Sequence, residues 1–191
     1  SSDIDIVAFA GRQGNAFQRV NKMNAMFSVG DWVNQQKKAN NCAKVVVPFG
    51  SLLVYQCDNV IIQTKWCVIG LDELGVDSNL GTQIQRYLNN PTSSLVVSLQ
   101  KQGTDFRHKV WAEICKIPVG QVLSYSKLAN QVGSGARAVA NACRDNPFPG
   151  IIPCHRVVAV SGLGGYMGET SGTLFEVKRH LLLMESQAIT G

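Results

Sequence analysis

The chain has 191 residues, 45% of them hydrophobic, and a formal net charge of +5. That length holds one larger domain or two small ones, with enough apolar residues for a sizeable core. Six cysteines without a CxxC pair exclude a disulfide scaffold, and the lack of a signal-peptide pattern or an apolar run of about eighteen residues excludes a membrane span and predicts a soluble, intracellular protein.

Residues 1–43 are rich in Asn and Gln, with scattered Phe17, Met26, Phe27 and Trp32. They read as an amino-terminal extension, drawn as a helix lying on the domain that follows; no role attaches to it. The β-branched runs Val45–Gln56 and Val60–Cys67 predict two strands, joined by a hairpin at Cys57-Asp58-Asn59. Asn79 is placed as the cap of a helix whose stripe is Leu80, Ile84, Tyr87 and Leu88. Pro91 and Thr92 end that helix, and Ser94–Leu99 follows as a third strand. Residues 44–104 therefore read as a small α+β domain carrying little chemistry.

From residue 105 onward the pattern turns helical, and the fold class is α+β with a mostly helical, winged-helix-like carboxy-terminal domain over 105–191. Ser124–Val132 predicts a short helix with Leu128, Ala129 and Val132 inward, and Gly133 ends it. Gly133-Ser134-Gly135 supplies a turn, and a second helix runs from about Ala136 to Arg144. Ala136, Val139, Ala140 and Cys143 share one side of it; Arg137, Asn141 and Arg144 share the other. That is a helix-turn-helix with a cationic face, although a merely solvated face is the alternative. Residues 101–191 carry ten Lys+Arg against six Asp+Glu, whereas residues 1–100 carry eight against seven. The excess sits in the helix-turn-helix half, as a nucleic-acid surface requires.

The stretch Ile151-Ile152-Pro153-Cys154-His155-Arg156-Val157 ends a short apolar run. Proline stiffens the chain where Cys154 appears and predicts an extended segment, on which the adjacent Cys154 and His155 side chains point to opposite faces. The neighbouring imidazole and guanidinium are groups that favour a thiolate, the reactive form of cysteine. A sulfur simply packed in a core is the alternative on spacing alone.

Together these residues resemble the O6-alkylguanine-DNA alkyltransferases (methylated-DNA–protein-cysteine methyltransferases). The likeness runs over about residues 105–186, more loosely over 44–104. It rests on Phe106…Val110-Trp111, Ile117-Pro118…Gly120-Gln121-Val122…Ser124-Tyr125, Ala136-Arg137-Ala138-Val139, Asn146-Pro147, Pro153-Cys154-His155-Arg156-Val157 and Lys178…Leu181-Leu182…Glu185.

The resemblance implies a DNA repair protein that flips an O6-alkylguanine (or O4-alkylthymine) out of duplex DNA and moves the alkyl group irreversibly onto Cys154. It implies that Cys154 gives its proton through water to His155, that Glu185 supports the imidazolium, and that Asn146 ties the bend before the active segment. Tyr125 donates to the leaving guanine. Arg137 is the finger that fills the vacated stack; Ala138, Asn141 and Arg144 complete the DNA face, which enters the minor groove. Pro153, Val157, Tyr166, Met167 and Gly168 line the base pocket. The segment Met167–Val177 is longer than in many members and, with few large apolar anchors before Leu174, is expected to be a loosely held wall. A monomer without a cofactor is implied, nuclear in a eukaryote and cytoplasmic in a bacterium. Some members hold zinc in the amino-terminal domain. Here Cys57 matches one ligand, but Ile62 stands where a histidine is needed, Cys42 is the only upstream cysteine and His108 lies in the next domain, so no zinc is expected. Two other classes stay open: a non-catalytic lesion-flagging relative, which would lack the acceptor cysteine, and a Cys-His hydrolase, which would turn over.

Overall fold

The computed structural model describes residues 27–68 and 78–190. The chain divides into two compact units. One takes the described residues up to Gly103 together with Pro147–Ile151; the other takes Thr104–Asn146 and the described residues from Ile152 onward. The carboxy-terminal region is therefore not one unbroken segment.

The first unit is built on five strands: β1 (Phe27–Val33), β2 (Asn41–Val47), β3 (Gly50–Cys57), β4 (Val60–Cys67) and β5 (Leu95–Gln100), in the order β1-β5-β4-β3-β2. Residues 27–33 are thus a strand rather than part of a helical extension. Their partner is β5, parallel to them from Phe27↔Leu95 to Val33↔Gln100. The expected boundary at residue 43 also falls inside a strand, since β2 begins at Asn41, and residues 1–26 of the expected extension lie outside the described residues. The single strand expected over Val45–Gln56 is two, split at Pro48, which has no N–H for a ladder. The β3–β4 hairpin turns at Asp58, which takes a left-handed φ of 53°. Helix α1 (Asn79–Asn89) buries Leu80, Ile84, Tyr87 and Leu88, but its cap is Ser78 rather than Asn79. The Ser78 hydroxyl accepts from the Gly81 N–H at 2.9 Å. Within this unit Thr64 holds the Pro147–Ile151 segment twice: its N–H donates to the Pro147 carbonyl at 3.0 Å and its hydroxyl to the Pro149 carbonyl at 2.7 Å.

The second unit contains α2 (Asp105–Ile114), β6 (Leu123–Ser124), α3 (Tyr125–Val132), α4 (Ala136–Arg144), a 3-10 turn at Cys154–Arg156, β7 (Val157–Val158) and α5 (Thr173–Ala188). Ser124 closes β6 and caps α3 by accepting from the Lys127 N–H at 3.2 Å. Gly133 ends α3 at φ 68°, a conformation that glycine adopts without strain. Helix α4 buries Val139, Ala142 and Cys143; Ala136 is exposed, so the inward row is turned from the one expected. Two side chains of α2 anchor α4. The Trp111 indole, 1% exposed, donates to the Ala142 carbonyl at 2.8 Å, and Arg107 pairs with Asp145 at 2.5 Å. Truncating a core tryptophan of this kind costs about 3–5 kcal/mol.

Strand β6 runs parallel to β7, with Leu123 opposite Val157 and Ser124 opposite Val158. This pairing sets the head of α3, where Tyr125 stands, beside the turn that carries Cys154. Helix α5 packs two rows inward, Val177-Leu181-Glu185 and Lys178-Leu182-Ser186. Its apolar face thus carries a lysine and a glutamate, both buried. Among the described residues no helix is long and apolar enough to cross a membrane.

Candidate active site

Cys154 is 3% exposed and stands in a turn, not in the extended segment that the preceding proline suggested. Its N–H donates to the Ile152 carbonyl at 2.8 Å, and the Arg156 N–H donates to the Pro153 carbonyl at 2.9 Å. Pro153 at φ −81° and ψ 58° allows the first of these contacts. The turn separates the three consecutive side chains. Cys154 lines a cleft, while His155 and Arg156 both go to Glu185 on α5.

The carboxylate of Glu185 has three donors. His155 Nε2 lies 2.7 Å from Oε1; Arg156 Nη2 donates to Oε1 at 2.8 Å and Arg156 Nε to Oε2 at 2.9 Å. Arg156 Nη1 donates to the Ile117 carbonyl at 2.7 Å. The guanidinium expected to attend the thiol is instead held on a carboxylate in the two-pronged geometry natural to arginine. The role of Arg156 on Glu185 is the part of the site with no sequence signal: the residue stands inside the motif, but nothing local indicates that its partner lies on α5.

Burial alone would raise the Glu185 pKa. The charges of Arg156 and His155 and their hydrogen bonds outweigh it, and the group is held well below the usual carboxylate range. Burial pushes the His155 pKa down; Glu185 opposes this, and the charges of Arg156 and Lys178 add to it. An ionised Glu185 must accept, so His155 Nε2 carries the proton and Nδ1 offers a lone pair. Nδ1 is buried and has no hydrogen-bond partner among the described residues.

Burial likewise raises the Cys154 pKa, against the opposing Asn146 hydrogen bond, the Lys178 charge and the backbone N–H of Cys154. The resting group is a thiol. Asn146 Nδ2 lies 3.1 Å from Sγ and 3.1 Å from the Ile152 carbonyl. The amide of Asn146 thus ties the bend and also touches the sulfur. Lys178, fully buried, donates to the Val157 carbonyl at 2.7 Å and to the Gly165 carbonyl at 2.9 Å. Its pKa is lowered to about 8 by burial, opposed by Cys154 and Cys143.

The cleft over Cys154 has a volume of about 260 Å³, suited to one heterocycle. Its walls are the segment from Gly165 to Thr170 on one side and Ala140, Asn141, Cys143 and Arg144 of α4 on the other, with Tyr125 and Cys154 completing it. Tyr166, Met167 and Gly168 are therefore wall residues. Pro153 and Val157 are not; both are buried, and Val157 contributes its carbonyl to Lys178 instead. The Tyr125 hydroxyl donates to the Gly165 carbonyl at 3.3 Å, a long bond that an incoming acceptor can replace. Arg144 and Asn141 sit exposed at the mouth, while Arg137 and half-buried Ala138 lie one turn earlier on the same helix, outside the cleft. Cys143, Ala140 and Glu169 line the cleft without having been singled out for it. Among the described residues no group of three or more His, Cys, Asp or Glu side chains could hold a metal ion.

Residues 105–187 match the family model described as 6-O-methylguanine DNA methyltransferase, DNA binding domain. A methylated-DNA–protein-cysteine methyltransferase of Metallosphaera sedula is 35% identical over 147 residues, 74% of this chain and 90% of the relative. One from Mycobacterium leprae is 37% identical over 118 residues, covering 59% of this chain and 72% of the relative. A crystal structure of Mycobacterium tuberculosis OGT in complex with DNA superposes with a TM-score of 0.64 at 30% identity, covering 78% of this chain and 94% of that one.

Proposed function

We propose that this chain, which belongs to the methylated-DNA–protein-cysteine methyltransferases, performs the family's repair reaction with Cys154 as its alkyl acceptor. The reaction moves the methyl group of O6-methylguanine in DNA onto a cysteine of the protein, and the thioether product consumes the acceptor. The observation that carries the assignment of Cys154 is its place: it is the turn residue that faces the cleft, with a buried His–Glu–Arg array behind it.

The neutral imidazole acts as general base. Because Nε2 is held on Glu185, the thiol proton moves to Nδ1, through one bridging water, and the imidazolium rests against a carboxylate that stays ionised. The sulfur then attacks the alkyl carbon: an S–C bond forms, the O6–C bond breaks, and the electron pair stays on the guanine. The Tyr125 hydroxyl, released from Gly165, donates to that developing anion. Asn146 and the Lys178 charge favour the thiolate as it forms.

The base reaches Cys154 by leaving the duplex, since an alkyl group within the stack cannot approach the sulfur of a buried cysteine. Exposed Arg137 fills the gap it leaves, and Asn141 and Arg144 contact the strand at the mouth of the cleft. The partner is double-stranded DNA carrying O6-alkylguanine, the protein acts as a monomer without a cofactor, and its workplace is wherever the genome lies, nucleus or cytoplasm.

Intact mass after incubation with methylated duplex DNA tests this. One added methyl per chain is expected, with none on a Cys154→Ser variant that still binds DNA. Continued product formation beyond one equivalent would mean a hydrolase, and an unmodified protein would mean a lesion-binding module.

A further inference from the structure

The wall of the cleft opposite α4 is held from an unexpected direction. Tyr166 and Glu169 exchange two backbone hydrogen bonds, of 2.8 and 2.9 Å, around Met167 at φ 50° and Gly168 at φ 86°. Two consecutive left-handed residues make a tight hairpin turn, and a non-glycine residue holds that conformation only where its surroundings enforce it. The turn is followed by Gly172, which occupies the cap position of α5 at φ 89° and ψ −159°. Only glycine is at ease there, so the usual Ser, Thr, Asp or Asn cap is barred from the position. The cap comes from elsewhere: the Glu169 carboxylate accepts from the Leu174 N–H at 3.0 Å. At the other end of the segment, Lys178 of the same helix holds the Gly165 carbonyl.

We infer that Glu169 is a positioning residue that latches the cleft wall to the amino terminus of α5 and thereby sets which alkyl groups fit over Cys154. The inference rests on the alkyl-transfer reading of the site. Its physical basis is that one carboxylate belongs both to the turn that lines the cleft and to the helix that carries Lys178 and Glu185. An anion at a helix amino terminus is favoured by the unpaired N–H groups and the helix dipole, so the latch is closed at rest. With the latch removed, Met167 is free to leave its left-handed conformation and the wall moves outward. A bulky substituent then gains room, while a methyl group loses its closely placed wall.

The experiment measures single-turnover transfer from O6-methylguanine and O6-benzylguanine in the same duplex for the full chain, Glu169→Ala, Glu169→Gln and Glu169→Asp. The benzyl-to-methyl rate ratio of Glu169→Ala should rise by about fivefold, the size of one net hydrogen bond, with duplex affinity unchanged. Glu169→Gln keeps an acceptor of the same reach and should return most of the wild-type ratio. Glu169→Asp keeps the charge but is one methylene short, and should shift like Ala; it decides the matter if Glu169→Ala fails to fold. An unchanged ratio in a folded Ala or Asp variant overturns the latch, and so does an equal loss on both substrates. Absence of any transfer by the wild-type chain would instead overturn the alkyl-transfer reading itself.

Discussion

The side-chain amide of Asn146 donates to the sulfur of Cys154 across 3.1 Å and is itself 3% exposed. A hydrogen bond to a group that becomes charged is worth about 1.5–3 kcal/mol, so Asn146→Ala should slow alkyl transfer roughly 10–100-fold. Asn146→Asp should be slower still, because a carboxylate there opposes a thiolate. Single-turnover kinetics on a free alkylated base, where DNA binding plays no part, will show whether the loss belongs to the sulfur. Equal rates for wild type and Asn146→Ala would remove the amide from the chemistry.

The pair made by Arg156 and Glu185 carries a stability consequence. Both are buried, at 2% and 5% exposure. Breaking a buried pair by neutralising one partner costs about 3–5 kcal/mol, because the other charge is left without compensation. Glu185→Gln should therefore shift the urea midpoint strongly as well as slow transfer. A full-rate, full-stability Glu185→Gln protein would contradict the array described above.

Acid should weaken the fold in two stages. His155, held below its ordinary 6.5, and Glu185, held below its ordinary 4.5, bind fewer protons in the native state than in the unfolded chain. Their contribution is complete above pH 6.5. It falls first as the unfolded imidazole gains a proton and again below 4.5 as the unfolded carboxyl does. Urea titrations between pH 4 and 8 should show stability rising with pH up to the range of the unfolded imidazole and levelling above it; a maximum on the acid side would refute the assignment.

Transfer itself should have a bell-shaped pH dependence. The acid limb lies below 6.5, where His155 becomes protonated and can no longer accept from the thiol. The alkaline limb lies near 8, where Lys178 loses the charge that favours the Cys154 thiolate. Rates measured from pH 5 to 9 on a free alkylated base should fall on both sides. A rate that keeps climbing above pH 9 would mean that simple thiol ionisation governs the reaction.

Arg137 is exposed and outside the cleft, whereas His155 is inside the array. Arg137→Ala should reduce transfer from duplex DNA about tenfold or more, since unstacking costs a few kcal/mol that the side chain offsets, and should leave the free-base reaction unchanged. His155→Ala should slow both. Loss of free-base activity in Arg137→Ala would dismiss it as the finger.

Features closed by neighbours were legible before the structure. Ser124 and Gly133 bound α3 through bonds of three to five residues' reach, and the periodicity of α1 follows the same local logic. Features closed by distant partners were not. Strand β1 is recognisable only beside β5, because Gly30 and Asp31 interrupt the alternation begun by Phe27 and Val29 before Trp32 and Val33. Proline predicts an extended chain at Cys154 because it restricts the residue before it, while the turn is made by the residues after it. Arg156 and Glu185 are 29 residues apart, and only the packing of α5 brings them together. The wall segment lacks large apolar anchors in its sequence, and its polar ties through Lys178 and Glu169 have no local sequence signal.

The short excursion Pro147–Ile151 limits how modular this protein can be. Phe148 and Ile151 are fully buried, and the sheet residue Thr64 supplies two of the segment's hydrogen bonds. A fragment starting at residue 105 would keep the acceptor cysteine and the helix-turn-helix but strip those apolar side chains of their cover. A gene fusion or recombination event that exchanged the amino-terminal half would therefore have to bring along a sheet that accepts this five-residue guest. Portability of the Cys154-bearing half is thus set by how well a new sheet seats Pro147–Ile151.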